Sequence, residues 1–214
     1  MNDAISQFSN WISTNNFNPD GLEVKPDAKS RYSVFASKDL PEDHVLFTVP
    51  ADFILCSESH ALKEMSSSHP SLKLVFDSDP FTSLNLCIMY ELAQGPSSKF
   101  FPYFALYYPP SSLSRTPLLW NEDDFALLGG TSLSVEHDLN TIKGIFDQLV
   151  VPVLDDLPQL FSSEYFSPTY DEYLKIGVFI QSYSFSSPSG SPFLLPPSRC
   201  FKQSSWKVKH HGNG

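Results

Sequence analysis

Two clusters of carboxylates are the residues of this sequence whose type and spacing could carry chemistry. Residues 122–124 read Glu-Asp-Asp, and residues 155–156 read Asp-Asp. Neighbouring carboxylates can act as a general acid and a general base. Acidic side chains in the first turn of a helix also stabilise its positive end without any catalytic role. The stretch WNEDDFALLGGTSL favours this structural role for the first cluster, because Asn121 can cap a short helix that the glycine pair 129–130 ends.

Cysteine and histidine residues are spaced too irregularly to predict a disulfide framework or a metal site. Cys56, Cys87 and Cys200 lie far apart, and the histidines are scattered except for the pair His210-His211. The ligand spacings typical of zinc sites do not occur. The glycine-rich loops G-x-G-x-x-G and G-x-x-x-x-G-K-[ST], which bind dinucleotides and nucleoside triphosphates, do not occur either. We therefore expect no metal and no nucleotide bound by such loops.

The composition predicts a folded, acidic chain. Of 214 residues, 41% are hydrophobic and 14% are aromatic, and the formal net charge is −10. A negative surface disfavours nucleic acid and favours basic partners such as lysine-rich protein segments. No stretch approaches the roughly 18 consecutive apolar residues that cross a bilayer, and the opening MNDAISQF does not read as a secretory signal. We expect a soluble, intracellular protein without membrane contact.

The charge changes sign at Ser186. Residues 186–214 contain four basic residues and no acid, so the first 185 residues carry a net charge of −14 and the last 29 carry +4. This last segment is rich in serine, proline and glycine and has no clear period. We predict that residues 186–214 are poorly ordered.

The first part of the chain predicts one helix followed by a small antiparallel sheet. Asn2 can cap a helix in which Ile5, Phe8 and Ile12 recur at helical spacing. Three runs with strand character follow, LEVKP, YSVFAS and VLFTVP, separated by turn-forming residues such as those of KDLPEDH.

The chain after Pro50 is mostly helical in pattern. Asp79-Pro80 can cap a buried helix, FTSLNLCIMYELAQ, that stops at Gly95-Pro96. A longer helix is predicted from about residue 134 to 154, bent or ended by Pro152, and a last helix begins at Ser167-Pro168. The outline is an α+β fold in which a helical insertion interrupts a small β unit.

Several segments, in this order, resemble the SET-domain protein lysine methyltransferases. The segment GLEV…RYSVFASKDLPEDHVLFTVPADFIL is similar to the opening of the subgroup that includes Rubisco large-subunit methyltransferase and the ribosomal-protein lysine methyltransferases. SSKFFPYFALYYP and PLLWNEDDFALLGGTSL resemble the inserted helical region of that subgroup, and YLKIGVFIQSYSF resembles the helix that returns to the catalytic sheet. The likeness covers nearly everything from Phe8 to Phe185. The stretch around Trp120 is then a scaffold element of the insertion.

The resemblance implies a division of the chain and an activity. Residues 1–58 would form the first helix and SET strands, 59–166 the helical insertion, 167–185 the returning helix, and 186–214 a non-homologous tail. The activity implied is methyl transfer from S-adenosylmethionine to a lysine ε-amine of a ribosomal or nuclear protein. By the same resemblance we expect a monomer located in the nucleus or cytoplasm.

The resemblance also implies where S-adenosylmethionine would bind. The early turn that carries glycine in the family corresponds to Ser30, Arg31, Tyr32 and Ser33, with Arg31 and Ser33 in place of the two glycines. An ordinary β-turn is the alternative interpretation of this segment. In the returning helix, the family positions near the carboxylate end of the cofactor correspond to Ser182 and Tyr183, and ordinary helix packing is the alternative there. The hypothesis requires the bend near Tyr32 and the segment ending at Phe185 to converge.

Three expected family features are missing from the sequence. The Asn-His motif, the later tyrosine that shapes the lysine channel and the helical substrate-binding domain have no counterpart after Phe185. We therefore expect the N-terminal part of a SET fold without its C-terminal half, inactive or weakly active alone, with no catalytic residue assigned. The tail would derive from an altered reading frame or a retained intervening sequence. A non-catalytic helical interaction module and an unrelated α+β fold remain as alternatives.

Overall fold

Helices make up most of the structure, and short strands join them near both ends of the chain. The computed structural model describes residues 2–17, 19–26, 32–109, 116–131 and 135–196. The α-helices are α1 (Asn2–Thr14), α2 (Ala61–Met65), α3 (Pro70–Ser78), α4 (Pro80–Gln94), α5 (Phe101–Tyr107), α6 (Glu122–Phe125), α7 (Val135–Ile145), α8 (Val151–Asp156), α9 (Pro158–Phe161) and α10 (Tyr170–Tyr183). The strands are β1 (Leu22–Pro26), β2 (Tyr32–Ala36), β3 (Leu55–Cys56), β4 (Phe185–Ser186) and β5 (Pro192–Leu194).

Helix α1 packs its apolar stripe against the core, as its spacing predicts. Phe8, Trp11 and Ile12 are buried on one face of the helix. The indole Nε1 of Trp11 donates a hydrogen bond of 2.8 Å to the carbonyl oxygen of Lys99, which ties α1 to the segment before α5. Asn2 is the first residue of α1, and its side chain, with its predicted capping role, lies outside the described part of the chain.

Two small antiparallel sheets form the β part of the fold. Strands β1 and β2 make a hairpin in which Val24 lies opposite Val34. The second sheet has the strand order β3-β5-β4 and joins distant parts of the chain, since Leu55 pairs with Leu194. Together with the helices, these sheets confirm the predicted α+β class.

The prediction of a third strand over residues 45–50 is wrong. This segment is irregular and bonds to the loop that follows α1: Thr48 N–H donates to the Phe17 carbonyl at 3.1 Å, and Asp20 N–H donates to the Leu46 carbonyl at 3.2 Å. These two bonds connect the segment to the loop without forming a ladder. The strand-like composition of residues 45–50 therefore does not produce a strand, because their backbone groups bond to the loop after α1.

The prediction that residues 186–214 are poorly ordered is wrong for residues 186–196. Strands β4 and β5 form a hairpin whose turn contains Gly190 at φ +87, a conformation that glycine adopts without strain. The side chain of Leu194 is fully buried beside Leu55. The serine-rich composition of this segment gave no signal for the short apolar strand β5. Burial of its apolar side chain against the core stabilises the fold. The rest of the tail lies outside the described residues.

Helix α4 is the centre of the hydrophobic core. All its residues from Thr82 to Met89 are buried, because α3, α5, α9 and α10 pack around it. The predicted boundaries are confirmed, with Asp79 as the cap and Gly95 at φ +51 after the last turn. None of the helices within the described residues is both long and apolar enough to cross a bilayer.

Loss of the Asp79 cap should destabilise the fold measurably. The Asp79 carboxylate accepts hydrogen bonds from the backbone N–H groups of Phe81 and Thr82, each at 3.1 Å. Asp79→Ala is expected to lower the free energy of unfolding by about 1–2 kcal/mol, measured by urea denaturation. The control is Asp77→Ala, since Asp77 is an exposed partner of Lys73 and its loss should barely move the midpoint. Equal shifts for the two variants would contradict the capping role.

The long helix predicted over residues 134–154 contains a change of winding. Helix α7 ends at Ile145, residues 146–150 form a π-helical turn, and α8 then begins at Val151. Pro152 lies in the first turn of α8, directly after the π-helical turn. The irregularity that Pro152 predicts therefore includes the turn just before the proline, where the winding changes from α to π.

Candidate functional site

Two residues of the predicted cofactor turn, Tyr32 and Ser33, lie at the end of the β1–β2 hairpin where residues 27–31 connect the strands. Tyr32 and Ser33 are the first residues of β2 and lie opposite Pro26 and Lys25. Tyr32 is partly buried against the hydrophobic core. Ser30 and Arg31, the other two predicted residues of this turn, lie outside the described part of the chain.

Helix α10 carries the second predicted part of the site. Its cap is Thr169, whose hydroxyl accepts a hydrogen bond of 3.2 Å from the Glu172 N–H, so the helix begins two residues later than Ser167-Pro168 predicts. Its buried face, which includes Ile176 and Phe179, packs on α4. This packing fixes the end of α10 relative to the insertion.

The last turn of α10 exposes one predicted residue and half-buries the other. Ser182 is exposed. Tyr183 is partly buried and packs on Phe179, with ring centroids 5.2 Å apart. Tyr183 and Tyr32 both pack against the same hydrophobic core. The two predicted parts of the cofactor site therefore share this core. An aromatic face at the edge of an apolar core can attract a cationic group such as a sulfonium.

A buried polar network lies on the insertion and has no sequence signal. The Glu91 carboxylate contacts the His60 Nε2 atom at 3.0 Å and accepts a hydrogen bond from the Ser98 hydroxyl. The Leu62 N–H donates to His60 Nδ1 at 3.2 Å, so the ring proton lies on Nε2 and is donated to Glu91. His60 and Glu91 are separated by 31 positions, and they meet because the helical turn Ser57–Ser59, just before α2, packs against α4.

The segments that carry the two acidic clusters make structural hydrogen bonds in the described residues. The Asn121 side-chain oxygen accepts a hydrogen bond of 2.9 Å from the Asp124 N–H, which confirms the predicted cap. Asp156 lies at the end of α8, and its carboxylate accepts a hydrogen bond of 2.8 Å from the Ser71 hydroxyl on α3. Within the described residues, no group of three or more histidine, cysteine or acidic side chains could hold a metal ion.

Two grooves are lined mainly by residues of the insertion, and Glu91 lines both. The first, here called the aromatic groove, has a volume of about 500 Å³. The second, of about 650 Å³, contains Cys56 and His60. Tyr32, Ser33, Ser182 and Tyr183 line neither groove. The aromatic groove includes the rings of Phe101, Phe104, Tyr108, Tyr165 and Phe166.

A tyrosine–glutamate pair lies at the edge of the aromatic groove. The Tyr108 hydroxyl donates to the Glu172 carboxylate at 2.8 Å, and the Lys175 ammonium donates to the other carboxylate oxygen at 2.7 Å. Burial, and then the bond to Glu172, holds the pKa of Tyr108 well above its ordinary value. Tyr108 therefore remains a hydrogen-bond donor at any physiological pH.

Comparison with known proteins identifies relatives along most of the chain. No family model matches. The chain is 31% identical to the N-lysine methyltransferase SETD6 of Bos taurus over 199 residues, covering 82% of this chain and 42% of the relative. It is 28% identical to the Xenopus laevis setd6 over 179 residues, covering 78% and 38%, and 28% identical to the Rattus norvegicus SETD6 over 220 residues, covering 91% and 43%. The chain thus spans about two fifths of the length of these relatives.

Solved structures with the same fold are SET domains. The SET domain of LSMT bound to lysine and AdoHcy superposes with a TM-score of 0.74 at 15% identity, covering 99% of this chain and 46% of that one. Rubisco LSMT bound to AdoMet gives a TM-score of 0.72 at 14% identity, covering 96% and 46%. The fold is therefore that of part of a SET domain. The resemblance to the SET-domain protein lysine methyltransferases, which the sequence motifs indicate, is confirmed.

The extent of these matches moves the boundary predicted at Ser186. The match to the rat relative covers 91% of the chain, a share that must include residues beyond Phe185. The likeness predicted to stop at Phe185 therefore continues further along the chain. The hairpin of β4 and β5 is the structural counterpart of this continuation.

Proposed function

We propose that this chain is part of an S-adenosylmethionine-dependent protein-lysine N-methyltransferase. The observation that carries the proposal is similarity to N-lysine methyltransferases over 82% of the chain at 31% identity. A SET fold supports it, since the structural neighbours were solved with AdoMet, AdoHcy and lysine. The substrate proposed is a lysine-containing ribosomal or nuclear protein.

The residues present suit such a cofactor at the edge of the core. Backbone groups of the predicted turn at Ser30, Arg31, Tyr32 and Ser33 would hold one part of it, and Ser182 with Tyr183 the other. When bound, S-adenosylmethionine supplies the methyl group. The partly buried Tyr183 ring on Phe179 offers a face that attracts the positive sulfonium. A lysine ε-amine must be neutral to react, and a dry apolar wall favours the neutral form.

Tyr183 provides the direct test of this site. Tyr183→Ala is expected to weaken S-adenosylmethionine binding about tenfold, because loss of a cation–π contact costs on that order. Isothermal titration calorimetry measures the change. Tyr183→Phe should keep the affinity of the parent chain, and Leu127→Ala, at a side chain that is 76% exposed, is the surface control. A parent chain that releases no heat with the cofactor would reject the proposal.

The proposal also covers the activity of this chain alone, its oligomeric state and its location in the cell. The Asn-His motif and the channel tyrosine of the family do not occur in the 214 residues. We therefore propose that the chain alone transfers methyl groups weakly or not at all. A monomer in the nucleus or cytoplasm, acting on basic protein segments rather than nucleic acid, is consistent with the net charge of −10.

A non-catalytic helical interaction module is the second candidate function. It is favoured by two grooves that are lined mainly by insertion residues and by none of the described residues predicted to bind the cofactor. Calorimetric silence with S-adenosylmethionine, combined with retained binding of a basic peptide, would select this alternative.

A further inference from the structure

We propose that the aromatic groove is a docking site for an arginine side chain on a basic segment of a protein partner. None of the described residues predicted to bind the cofactor lines this groove. The inference does not depend on methyl transfer. It rests on the shape of the groove, its rings and its charge.

The size and walls of the groove suit a flat cation. Its volume of about 500 Å³ lies within the range of pockets that hold small ligands, roughly 300–1,000 Å³. Five aromatic rings line it, and Tyr165 is unusually open to solvent for such a ring, at 56% exposure. A guanidinium stacks on aromatic faces more readily than a compact ammonium does.

Tyr165 is held in place from below by Gly95. A Cβ atom at Gly95 would overlap the Cγ and Cδ2 atoms of the Tyr165 ring. The ring therefore lies directly on the backbone at the end of α4, and Gly95 at φ +51 allows this close approach. Tyr165 is exposed but has a fixed support, so it offers a positioned ring face.

The charged groups of the groove are negative. Glu91 and Glu172 are the ionisable acids among the described residues that line it, and none of those residues is basic. Glu91 is nearly buried and already bonded to His60 and Ser98, so it contributes charge rather than direct contacts. The Glu172 side chain is 25% exposed, and each of its oxygens accepts one bond, from Tyr108 or from Lys175. A carboxylate oxygen can accept a second bond, and the net charge of −14 on residues 1–185 favours approach of a basic segment.

Lys175 is the internal competitor for this site. Its ammonium bonds to Glu172 while its side chain remains 39% exposed, and it does not line the groove. An incoming arginine would share the Glu172 carboxylate with Lys175 or displace it. Removal of Lys175 should therefore strengthen binding, an effect that a purely structural role of Glu172 would not produce.

The test uses the full chain and a fluorescein-labelled peptide of alternating arginine and glycine, followed by fluorescence anisotropy. Glu172→Gln should weaken binding about tenfold, since a charge-assisted hydrogen bond is lost. Tyr165→Ala should weaken it about fivefold, whereas Tyr165→Phe keeps the ring and the affinity. Lys175→Ala should tighten binding about threefold, and the remote surface control Asp77→Asn should change it less than about twofold.

A neutral peptide and a lysine peptide test whether the groove selects the guanidinium group of arginine. The same peptide with citrulline in place of arginine should not bind, and a lysine peptide should bind several-fold more weakly. Added S-adenosylmethionine should leave the arginine peptide's affinity unchanged, which separates this test from that of the proposed activity. Equal binding of the citrulline or lysine peptide, an Asp77→Asn effect as large as that of Glu172→Gln, or no saturable binding would overturn the proposal. Circular dichroism melting curves establish that each variant is folded.

Discussion

Replacing Glu91 with alanine is expected to lower the free energy of unfolding by about 3 kcal/mol. The change removes the acceptor of two buried donors, the His60 Nε2–H and the Ser98 hydroxyl. Each donor left without a partner in the interior costs on the order of 1–3 kcal/mol, and the lost side-chain volume leaves a cavity as well. Urea denaturation of the purified chain measures the loss.

Glu91→Gln separates the contribution of the contacts from that of the charge. A glutamine oxygen can accept from His60, and its NH₂ group can donate to the Ser98 hydroxyl, which accepts as well as donates. We therefore expect Glu91→Gln to retain more than half of the stability that Glu91→Ala loses. Glu58→Gln, at an exposed position of the same region, should have little effect. A loss below about 1 kcal/mol for Glu91→Ala would show that the buried network contributes no more than an average hydrogen bond.

Replacing Phe179 with alanine is expected to have the largest effect on the core, about 3–5 kcal/mol. Phe179 is fully buried on α10. Its ring contacts the rings of Tyr103 and Tyr108 from the insertion and that of Tyr183 at the predicted cofactor site, with centroids 5.2–6.2 Å apart. The same change would free Tyr183 to rotate, so affinity for S-adenosylmethionine should fall together with stability.

The control for Phe179 is an aliphatic deletion at the surface. Leu74 on α3 is 53% exposed, and Leu74→Ala should shift the unfolding midpoint only slightly. Phe179→Leu, which keeps much of the apolar volume, should recover a large part of the stability. Similar midpoints for Phe179→Ala and Leu74→Ala would contradict the central position assigned to Phe179.

Long elements with strong local signals could be predicted from the sequence. Helix α4 combines an Asp-Pro start, a Gly-Pro end and a continuous apolar run, and the structure reproduces these boundaries. Helix α10 was predicted within two residues of its start. In both helices the residues that specify the ends are adjacent in sequence, so local chemistry is sufficient.

Features that depend on distant residues could not be predicted. Strand β5 has three residues in a serine- and proline-rich segment, and its partner Leu55 lies far away in the chain. The His60–Glu91 contact and both grooves arise from packing between helices, for which a single sequence gives no spacing rule. The SET resemblance, by contrast, rests on the order of several motifs, and its assignment of Tyr32 and Tyr183 to the cofactor site stays a prediction.

The position of β5 between β3 and β4 also determines when the second sheet can form during synthesis. In the described part of the chain, β3 and β4 have no ladder to each other and are joined only through β5. The ribosome synthesises residues 192–194 after every helix described here. The helices can therefore assemble before Leu55 has a strand with which to pair. A nascent chain stopped before Leu194 would thus expose an apolar strand edge, a natural binding target for chaperones.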